Sequence, residues 1–262
     1  MAHSPPFARV LPHLFERWDE VRRRVRTASS VMLFVDFDGT LVDLRPRPDQ
    51  VRLSPAARLA LRKLVRHPCL RAVIVSGRRR ATLTRHVQIP NVCYMGLYGW
   101  EDAAGCHLPQ KTVRIVSRVR AMLADLPKGL PGVYVEDKGI ALAIHFRGAP
   151  LRVRRRVRAR IRTSLAPFRA DLDVLRAKEV WEVVPRQVAG KGAAIRRALR
   201  RVRTAFLPIY VGDDLTDESA FAALRQGITV LVGPARPTRA QFRLRNPREA
   251  CDFLQRLEAE LP

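Results

Sequence analysis

The sequence predicts an α/β fold in which a parallel sheet forms the core and an α+β module is inserted into the chain. Two observations lead to this prediction. Short apolar runs recur along the chain, separated by segments of helix length, which is typical of a parallel sheet covered by helices on both faces. Between residues 109 and 185 the pattern changes to helix, strand, strand, repeated once, which is typical of hairpins with helices on one side.

The core strands are predicted from apolar runs that end in glycine or polar residues: Val31 to Val35, Ala72 to Val75, Val92 to Met95 and Leu207 to Val211. Apolar residues at helical spacing predict a leading helix over residues 7–25, and Pro247 suits the first turn of a closing helix over 247–261. We therefore expect an N-terminal helix within 1–29, a core domain formed by 30–108 and 186–262, and a cap domain over 109–185.

The inserted module is predicted to contain two helices, over 111–126 and 151–165, each followed by a pair of strands. The strand pairs cover 133–135 with 140–146 and 172–175 with 180–184, and the first pair turns around Lys138-Gly139. Because hairpins with helices on one side interrupt the parallel core, we expect this module to be a lid-like insertion.

Composition places the chain among globular proteins, since 47% of its 262 residues are hydrophobic. No apolar segment approaches the roughly 20 residues that span a bilayer, and the N-terminus lacks the charged and apolar regions of a signal peptide. We therefore expect a cytoplasmic protein with no membrane partner. The four cysteines show no CxxC spacing and are interpreted as ordinary thiols. The sequence does not predict an oligomeric state.

The formal net charge of +25 is the one global property that fits a nucleic-acid-binding protein. Of 49 basic residues only six are lysines, an imbalance that GC-rich coding produces without selection for a polyanionic partner. The densest cluster, Arg152 to Arg162, surrounds Val153, Val157 and Ile161 at the spacing of a helix. We interpret it as an amphipathic helix with a basic solvated face, and we do not expect a nucleic-acid partner.

The residues with the clearest chemistry are Asp36 and Asp38, which end the first core strand and are followed by Gly39 and Thr40. A strand period of two puts both carboxylates on the same side of the backbone, and glycine allows a tight turn after them. Such a pair can bind a hard cation such as Mg²⁺ while one carboxylate attacks phosphorus. A helix N-cap or an Asx-turn after the strand is the alternative for these two residues.

Three further polar clusters follow apolar runs or begin a helix. Ser76-Gly77-Arg78 could hydrogen-bond a phosphoryl oxygen, although such residues also begin ordinary turns. Gly190-Lys191-Gly192 would offer an ammonium to a phosphoryl group, although a solvated lysine is ordinary in a helical first turn. Gly212 to Glu218 contains four acidic residues, which in so basic a chain favours a bound cation over a negatively charged helix N-terminus.

The ordered motifs DFDGTL, SGR, GKG and VGDDLTDE resemble those of the haloacid dehalogenase (HAD) superfamily of Mg²⁺-dependent phosphohydrolases. Within it, Val135-Glu136-Asp137-Lys138, His145-Phe146-Arg147 and Glu179 to Pro185 are similar to the cap motifs of trehalose-6-phosphate phosphatases. The resemblance covers residues 30–257. It implies a HAD-type Rossmann-like core with a C2-type α+β cap. It also implies hydrolysis of trehalose 6-phosphate through an aspartyl phosphate, as a step of trehalose biosynthesis.

The resemblance also implies a role for each matching residue. Asp36 would be the nucleophile, and Asp38 the general acid and base that also gives its backbone carbonyl to Mg²⁺. Asp213 would share the ion with Asp36, and Asp214 and Asp217 would lie near it or act through water. Ser76 and Lys191 would hold phosphoryl oxygens, so the catalytic set is Asp36, Asp38, Ser76 and Lys191. The substrate-binding set would be Thr40, Gly77, Arg78, Glu101, Glu136, Lys138, His145, Arg147 and Glu182, although His145 and Arg147 also fit the solvated face of a strand.

One segment departs from the family pattern. After the third core strand the family usually has Asn-His-Gly-x-Glu, whereas this chain has Leu97-Tyr98-Gly99-Trp100-Glu101. Leucine for asparagine and tyrosine for histidine change the hydrogen-bonding capacity near the sugar. Another phosphosugar, such as sucrose 6-phosphate or a mannosyl phosphate, therefore stays an alternative substrate. From a different class, a basic nucleic-acid-binding protein on a phosphatase fold is the second alternative.

Overall fold

The computed structural model describes residues 11–262 apart from Pro46, 107–108, Pro127, 177–179, Ala189 and 203–204. The chain forms two compact units. The core unit contains the residues up to Ser76, Ala81–Met95 and Gly190–Pro262, and the cap unit contains Gly77–Arg80 and Gly96–Ala189. The domain limits predicted from the hairpin pattern, with a cap over 109–185, stay a prediction. None of the helices described is long and apolar enough to cross a membrane.

The described residues form strands in this order along the chain: β1 (Val31–Asp36), β2 (Leu70–Val75), β3 (Cys93–Met95), β4 (Glu101–Asp102), β5 (Gly105–Cys106), β6 (Tyr134–Asp137), β7 (Leu142–His145), β8 (Leu172–Arg176), β9 (Val180–Pro185), β10 (Leu207–Gly212), β11 (Ile228–Val232) and β12 (Phe242–Leu244). The strands predicted for the core and the cap are all present, with bounds that differ by a few residues. Strands β11 and β12 extend the core sheet after the acidic motif.

The α-helices of the described residues are α1 (Trp18–Arg26), α2 (Pro55–Leu64), α3 (Arg80–Val87), α4 (Gln110–Leu123), α5 (Leu151–Leu165), α6 (Lys191–Arg200), α7 (Glu218–Ala223) and α8 (Pro247–Glu260). Helices α2 and α8 begin with the same local signal. Ser54 and Asn246 accept hydrogen bonds from the amides of Ala57 and Glu249, and a proline occupies the first turn of each helix.

The core sheet has six parallel strands in the order β12-β11-β10-β1-β2-β3. Alternate residues of the buried strand β1 point to opposite faces: Leu33 and Val35 pack on one side, and Met32 and Phe34 on the other. Residues of α1, α2, α3 and α8 belong to the first hydrophobic cluster, and residues of α6 and α7 to the second. Both faces are therefore covered, which explains why these strands read as continuous apolar runs.

The leading helix starts later than the prediction of 7–25. Residues 7–10 lie outside the described part of the chain. From there the chain runs alongside β12, where the amide of Arg243 donates to the carbonyl of Pro12 at 3.0 Å, and a short 3₁₀ turn, Leu14–Arg17, leads into α1. At Pro12 and His13, pairing with the edge strand thus takes the place of the predicted helix. Helix α1 buries Val21 and Val25 against the core, as its helical spacing predicts.

The cap unit contains an antiparallel sheet in the order β6-β7-β9-β8. The apolar residues of α4 and α5 pack against one face of this sheet, in a cluster that includes Val119, Val157, Ile144 and Val183. The predicted helix, strand, strand unit, repeated once, is therefore confirmed. The fold class predicted from the sequence, a parallel α/β core with an α+β cap, is confirmed as well.

Candidate active site

Three polar residues lie at the carboxyl ends of neighbouring strands in the core unit. Asp36 is the last residue of β1, Ser76 follows β2, and Asp213 follows β10. Strand β1 lies between the other two, with Val35 opposite Val211 and Asp36 opposite Val75. Because all three strands are parallel, their carboxyl ends meet at one edge of the sheet, which is where α/β sheets bind ligands.

The turn after β1 is built around Gly39, whose φ of +83° favours glycine. A Cβ at this position would lie 2.1 Å from Oδ2 of Asp213, so glycine also allows the backbone to approach that carboxylate. The turn buries Thr40, whose hydroxyl lies 3.2 Å from Oδ2 of Asp36 and 3.2 Å from Oδ1 of Asp213. Thr40 therefore links the two carboxylates, a contact that the assignment to substrate binding did not anticipate.

Asp36, Asp213 and Asp217 form an acidic cluster in which one carboxylate oxygen of each residue lies within 4.8 Å of the others. Asp36 and Asp217 are buried and Asp213 is half-buried. Of the metal-site residues predicted from the sequence, the structure thus brings these three together. Asp38, two residues after the end of β1, and Asp214 do not belong to the cluster among the residues described.

The Lys191 side chain lies inside this cluster. Its ammonium is 2.6 Å from Oδ1 of Asp36 and 2.6 Å from Oδ1 of Asp217, and only 3% of the residue is exposed. As predicted, Lys191 begins a helix, α6. Gly192 lets this helix lie close to α7, because a Cβ there would be 2.1 Å from the backbone oxygen of Ser219. The close approach that Gly192 permits thus helps to position Lys191.

Asp214 and Asp217 also have a local structural role, in the 3₁₀ turn that leads into α7. Asp214 is the N-cap of this turn, and the backbone amide of Asp214 donates to Oδ2 of Asp217 at 2.9 Å. Their reciprocal hydrogen bonds form a capping box. The alternative for this segment, a negatively charged helix N-terminus, is therefore present alongside the acidic cluster, and the capping box fixes the direction of the Asp217 carboxylate.

Two residues at this site were not singled out from the sequence. The buried hydroxyl of Tyr210, on β10, donates to Oδ1 of Asp217 at 2.6 Å. The sequence places this tyrosine within an apolar strand, and a buried tyrosine hydroxyl needs a hydrogen-bond partner, so its position could have indicated a polar contact. Arg236 donates to the backbone oxygen of Asp214 at 3.0 Å and contacts Glu218 at 2.5 Å, and so holds the acidic loop. In a chain so rich in arginine, no sequence signal distinguishes Arg236.

Burial shifts the pKa values of the ionisable groups in the cluster. Burial raises the pKa of the Asp36 carboxyl to about 7, although the Lys191 ammonium acts in the opposite direction. Burial and the neighbouring Asp36 and Asp217 raise the pKa of the Asp213 carboxyl well above its usual range. Burial alone would lower the pKa of the Lys191 ammonium, but Asp217 and Asp36 outweigh it, so this pKa is raised and the lysine stays charged.

Asp36 and Asp217 thus pair with the one ammonium of Lys191, Asp213 lies beside them, and negative charge is in excess when all three carboxyl groups are ionised. Excess buried charge is costly unless a counter-charge binds. Carboxylate oxygens are the ligands that hard divalent cations prefer in proteins. The donor set of the cluster therefore fits a divalent metal ion.

Three of the predicted substrate-binding residues of the cap share one face of its sheet. Strand register places Glu136 opposite Ala143, and Ala143 opposite Glu182. Directly opposed residues share a face, and Ile144, on the other face, packs with α4 and α5. Glu136 and Glu182 therefore lie on the face of the cap sheet without helices, together with His145.

Two close polar pairs involve these glutamates. Nε2 of His145 is 2.9 Å from Oε2 of Glu136, and Nζ of Lys138 is 2.7 Å from Oε1 of Glu182. Burial acts to raise the pKa of the Glu136 carboxyl, but the hydrogen bond from His145 and the charge of Lys138 outweigh it and lower this pKa. Glu136 is thus held as an anion that can accept hydrogen bonds.

The remaining predicted residues of the cap unit are more scattered. Oε2 of Glu101 accepts a hydrogen bond of 2.6 Å from the amide of Arg80, the first residue of α3. The backbone oxygen of Arg78 accepts from the amide of Leu97 at 2.8 Å, and its charge acts on Glu136. Arg147 is exposed beyond the end of β7. The structure therefore gives Glu101 a position in which it caps α3.

Comparison with known proteins identifies related sequences. The trehalose-phosphatase family model matches residues 34–248. A trehalose-phosphate phosphatase from Mycobacterium leprae (strain TN) is 34% identical over 257 residues, which cover 90% of this chain and 59% of that protein. The chain thus spans less than two thirds of the length of this curated relative.

Comparison with solved structures supports the fold. The C-terminal domain of the trehalose-6-phosphate phosphatase of C. albicans has a TM-score of 0.82 at 23% identity, covering 96% of this chain and 99% of that chain. A haloacid dehalogenase-like hydrolase from Bacteroides thetaiotaomicron has a TM-score of 0.61 at 14% identity, covering 87% of this chain and 99% of that one. At these identities the likeness shows a common fold alone.

Proposed function

Since this chain belongs to the trehalose-phosphatase family, we propose that it is a Mg²⁺-dependent phosphatase that hydrolyses trehalose 6-phosphate to trehalose and phosphate. The observation that carries the proposal is the buried contact of 2.6 Å between the Lys191 ammonium and Asp36, next to Asp213 and Asp217. A carboxylate held beside a fixed cation and a metal site is the arrangement that nucleophilic attack on a phosphoryl group requires.

The acidic cluster supplies the ligands for the ion. Asp36 and Asp213 would hold Mg²⁺ directly, together with the backbone carbonyl of Asp38, and Asp214 and Asp217 would act near it or through water. When bound, the ion neutralises charge on the phosphoryl oxygens. The carboxylate oxygens of Asp217 accept hydrogen bonds from Lys191, Tyr210 and the Asp214 amide, which favours an outer position for Asp217.

The reaction has two steps, in which Asp36 and Asp38 have separate roles. An Asp36 oxygen attacks phosphorus, the bond from phosphorus to the sugar oxygen breaks, and the Asp38 carboxyl gives that oxygen a proton. The Asp38 carboxylate then takes a proton from water. This water attacks phosphorus and releases phosphate, which restores the Asp36 carboxylate.

The neighbours of Asp36 orient these groups. The Lys191 ammonium and the Ser76 hydroxyl would hold the phosphoryl oxygens and stabilise the negative charge on them during the reaction. The Thr40 hydroxyl lies 3.2 Å from a carboxylate oxygen of both Asp36 and Asp213, so it would keep the nucleophile and a metal ligand at a fixed separation. Fixed geometry of this kind lowers the barrier because less reorganisation is needed during the reaction.

We assign recognition of the sugar to the polar face of the cap sheet. Glu136 and Glu182 offer carboxylate oxygens to sugar hydroxyls, and Lys138 and His145 offer donors. The remaining members of the proposed substrate set are Thr40, Gly77, Arg78, Glu101 and Arg147. A division between a core that carries out the chemistry and a cap that selects the sugar is common in enzymes with lids.

The test is phosphate release by the purified protein from a panel of phosphosugars with and without Mg²⁺. The proposal predicts metal-dependent release with the highest kcat/KM for trehalose 6-phosphate. The second candidate substrate is another phosphosugar, such as sucrose 6-phosphate or a mannosyl phosphate. Tyr98 favours this candidate, because it replaces the histidine usual in the family and so puts a different hydrogen-bond donor beside Glu182. A higher kcat/KM for one of these compounds would refute the narrower claim and retain the broader one.

A further inference from the structure

The segment Leu97-Tyr98-Gly99 has an unusual backbone. All three residues have a left-handed φ, of +50°, +59° and +89°, and the first two are not glycine. Left-handed conformations are unfavourable for side chains as bulky as leucine and tyrosine, so they persist only where their surroundings fix them. Here the amide of Leu97 donates to the oxygen of Arg78 at 2.8 Å, and the amide of Gly99 donates to the oxygen of Gly96 at 2.8 Å.

This backbone directs the Tyr98 side chain into the cap unit, where only 4% of the residue is exposed. The ring packs with Ala141, Val184 and Val188 in a small hydrophobic cluster. Gly77 leaves room for it, because a Cβ at Gly77 would lie 3.1 Å from the Cζ atom of the ring. The strained backbone and the close glycine thus serve to place this one side chain.

The Tyr98 hydroxyl donates to Oε2 of Glu182, on the face of the cap sheet without helices. The other carboxylate oxygen, Oε1, accepts from the ammonium of Lys138 at 2.7 Å. Each oxygen of Glu182 therefore has its own donor, one neutral and one charged. These two donors hold Glu182 in a fixed orientation, and a carboxylate accepts about four hydrogen bonds in all.

We infer that Tyr98 is a positioning residue for sugar selectivity: its hydroxyl orients the Glu182 carboxylate toward the hydroxyl groups of the sugar in the phosphosugar substrate. This inference rests on the proposed function, and it adds a residue at which the chain departs from the family pattern. Phenylalanine at position 98 would keep the ring and its packing while removing the donor. Glu182 would then keep Lys138 but lose its second restraint.

The test compares Tyr98→Phe, Glu182→Gln and the double variant with the wild type, using trehalose 6-phosphate and p-nitrophenyl phosphate, an ester without a sugar. For Tyr98→Phe we expect KM for trehalose 6-phosphate to rise by about tenfold, as for loss of a hydrogen bond to a charged group. The kcat for this substrate and the kcat/KM for p-nitrophenyl phosphate should stay close to wild type. In the double variant, Tyr98→Phe should add nothing to the effect of Glu182→Gln.

Other outcomes would overturn the inference. Equal losses on both substrates would mean a structural or catalytic role, and no loss on either would mean that the hydroxyl is not used. Independent, additive effects of the two substitutions would mean that Tyr98 does not act through Glu182. Failure of the proposed function would be visible separately, as a wild-type protein that releases phosphate from p-nitrophenyl phosphate but from no phosphosugar.

Discussion

Substitution of Tyr210 by phenylalanine tests the buried charge network around Asp217. Tyr210 is fully buried on β10, and its hydroxyl is 2.6 Å from Oδ1 of Asp217, which is fully buried too. The ring packs edge-to-face on Phe221, with centroids 5.7 Å apart, and phenylalanine would keep this contact. The substitution therefore removes one hydrogen-bond donor from a buried carboxylate and little else.

The expected cost follows from the partners that Asp217 keeps. A hydrogen bond to a charged group contributes about 1.5–3 kcal/mol. Asp217 would still accept from Lys191 and from the amide of Asp214, so we expect the middle of this range, a loss of about 2 kcal/mol in the free energy of unfolding. We also expect a lower kcat, because Asp217 shares the Lys191 ammonium with Asp36.

Tyr94→Phe is the matched control. The Tyr94 hydroxyl is buried in the same unit, but it bonds neutral groups, the oxygen of Ile89 at 3.0 Å and the amide of Ile89 at 3.2 Å. Its loss should cost about 1 kcal/mol. Urea unfolding of both metal-free variants, followed by circular dichroism, gives the comparison. A Tyr210→Phe protein as stable as the wild type, or less affected than Tyr94→Phe, would refute the reasoning.

Two further predictions concern the same cluster. Lys191→Met leaves Asp36 and Asp217 without their buried cation, so we expect a loss of about 3–5 kcal/mol in urea unfolding and little remaining phosphate release; wild-type stability would contradict the pairing. The pKa of Asp36 is about 7, so its carboxyl is mainly protonated at about pH 6 and must lose the proton before it can bind a cation. Mg²⁺ affinity should therefore rise from about pH 6 to about pH 8 with release of a proton, measured by calorimetry in buffers of different ionisation enthalpy; an affinity independent of pH would argue against a raised Asp36 pKa.

The parts of the fold that follow from periodicity were predictable from the sequence. Strand β1 is buried along its whole length, so its sequence is a continuous apolar run. The acid that ends this run marks the end of the strand. The two helix, strand, strand units of the cap were predictable from the spacing of their apolar residues. The start of α1 was not, because pairing of His13 beside Arg243 on a distant strand decides where the helix can begin.

The candidate site was predictable as a set of residue types at strand ends, but its contacts were not. Tyr98 and Glu182 are 84 positions apart in the chain, and no local pattern connects them. The left-handed backbone at Leu97 and Tyr98 has no sequence signal either, since such residues usually avoid it. Arg236 was hidden by the abundance of arginine, and only its contact with the acidic loop distinguishes it.

The central claim is that Asp36 attacks the phosphoryl group of a phosphosugar, and one comparison tests it most directly. Phosphate release from trehalose 6-phosphate in the presence of Mg²⁺ should be measured for the wild type, Asp36→Asn and Asp43→Asn. Asp43 is an exposed acid seven positions further along the chain, so its variant controls for loss of a carboxylate. We predict that Asp36→Asn abolishes phosphate release and leaves the circular dichroism spectrum unchanged, while Asp43→Asn keeps wild-type activity. Appreciable phosphate release by a folded Asp36→Asn protein would contradict the claim.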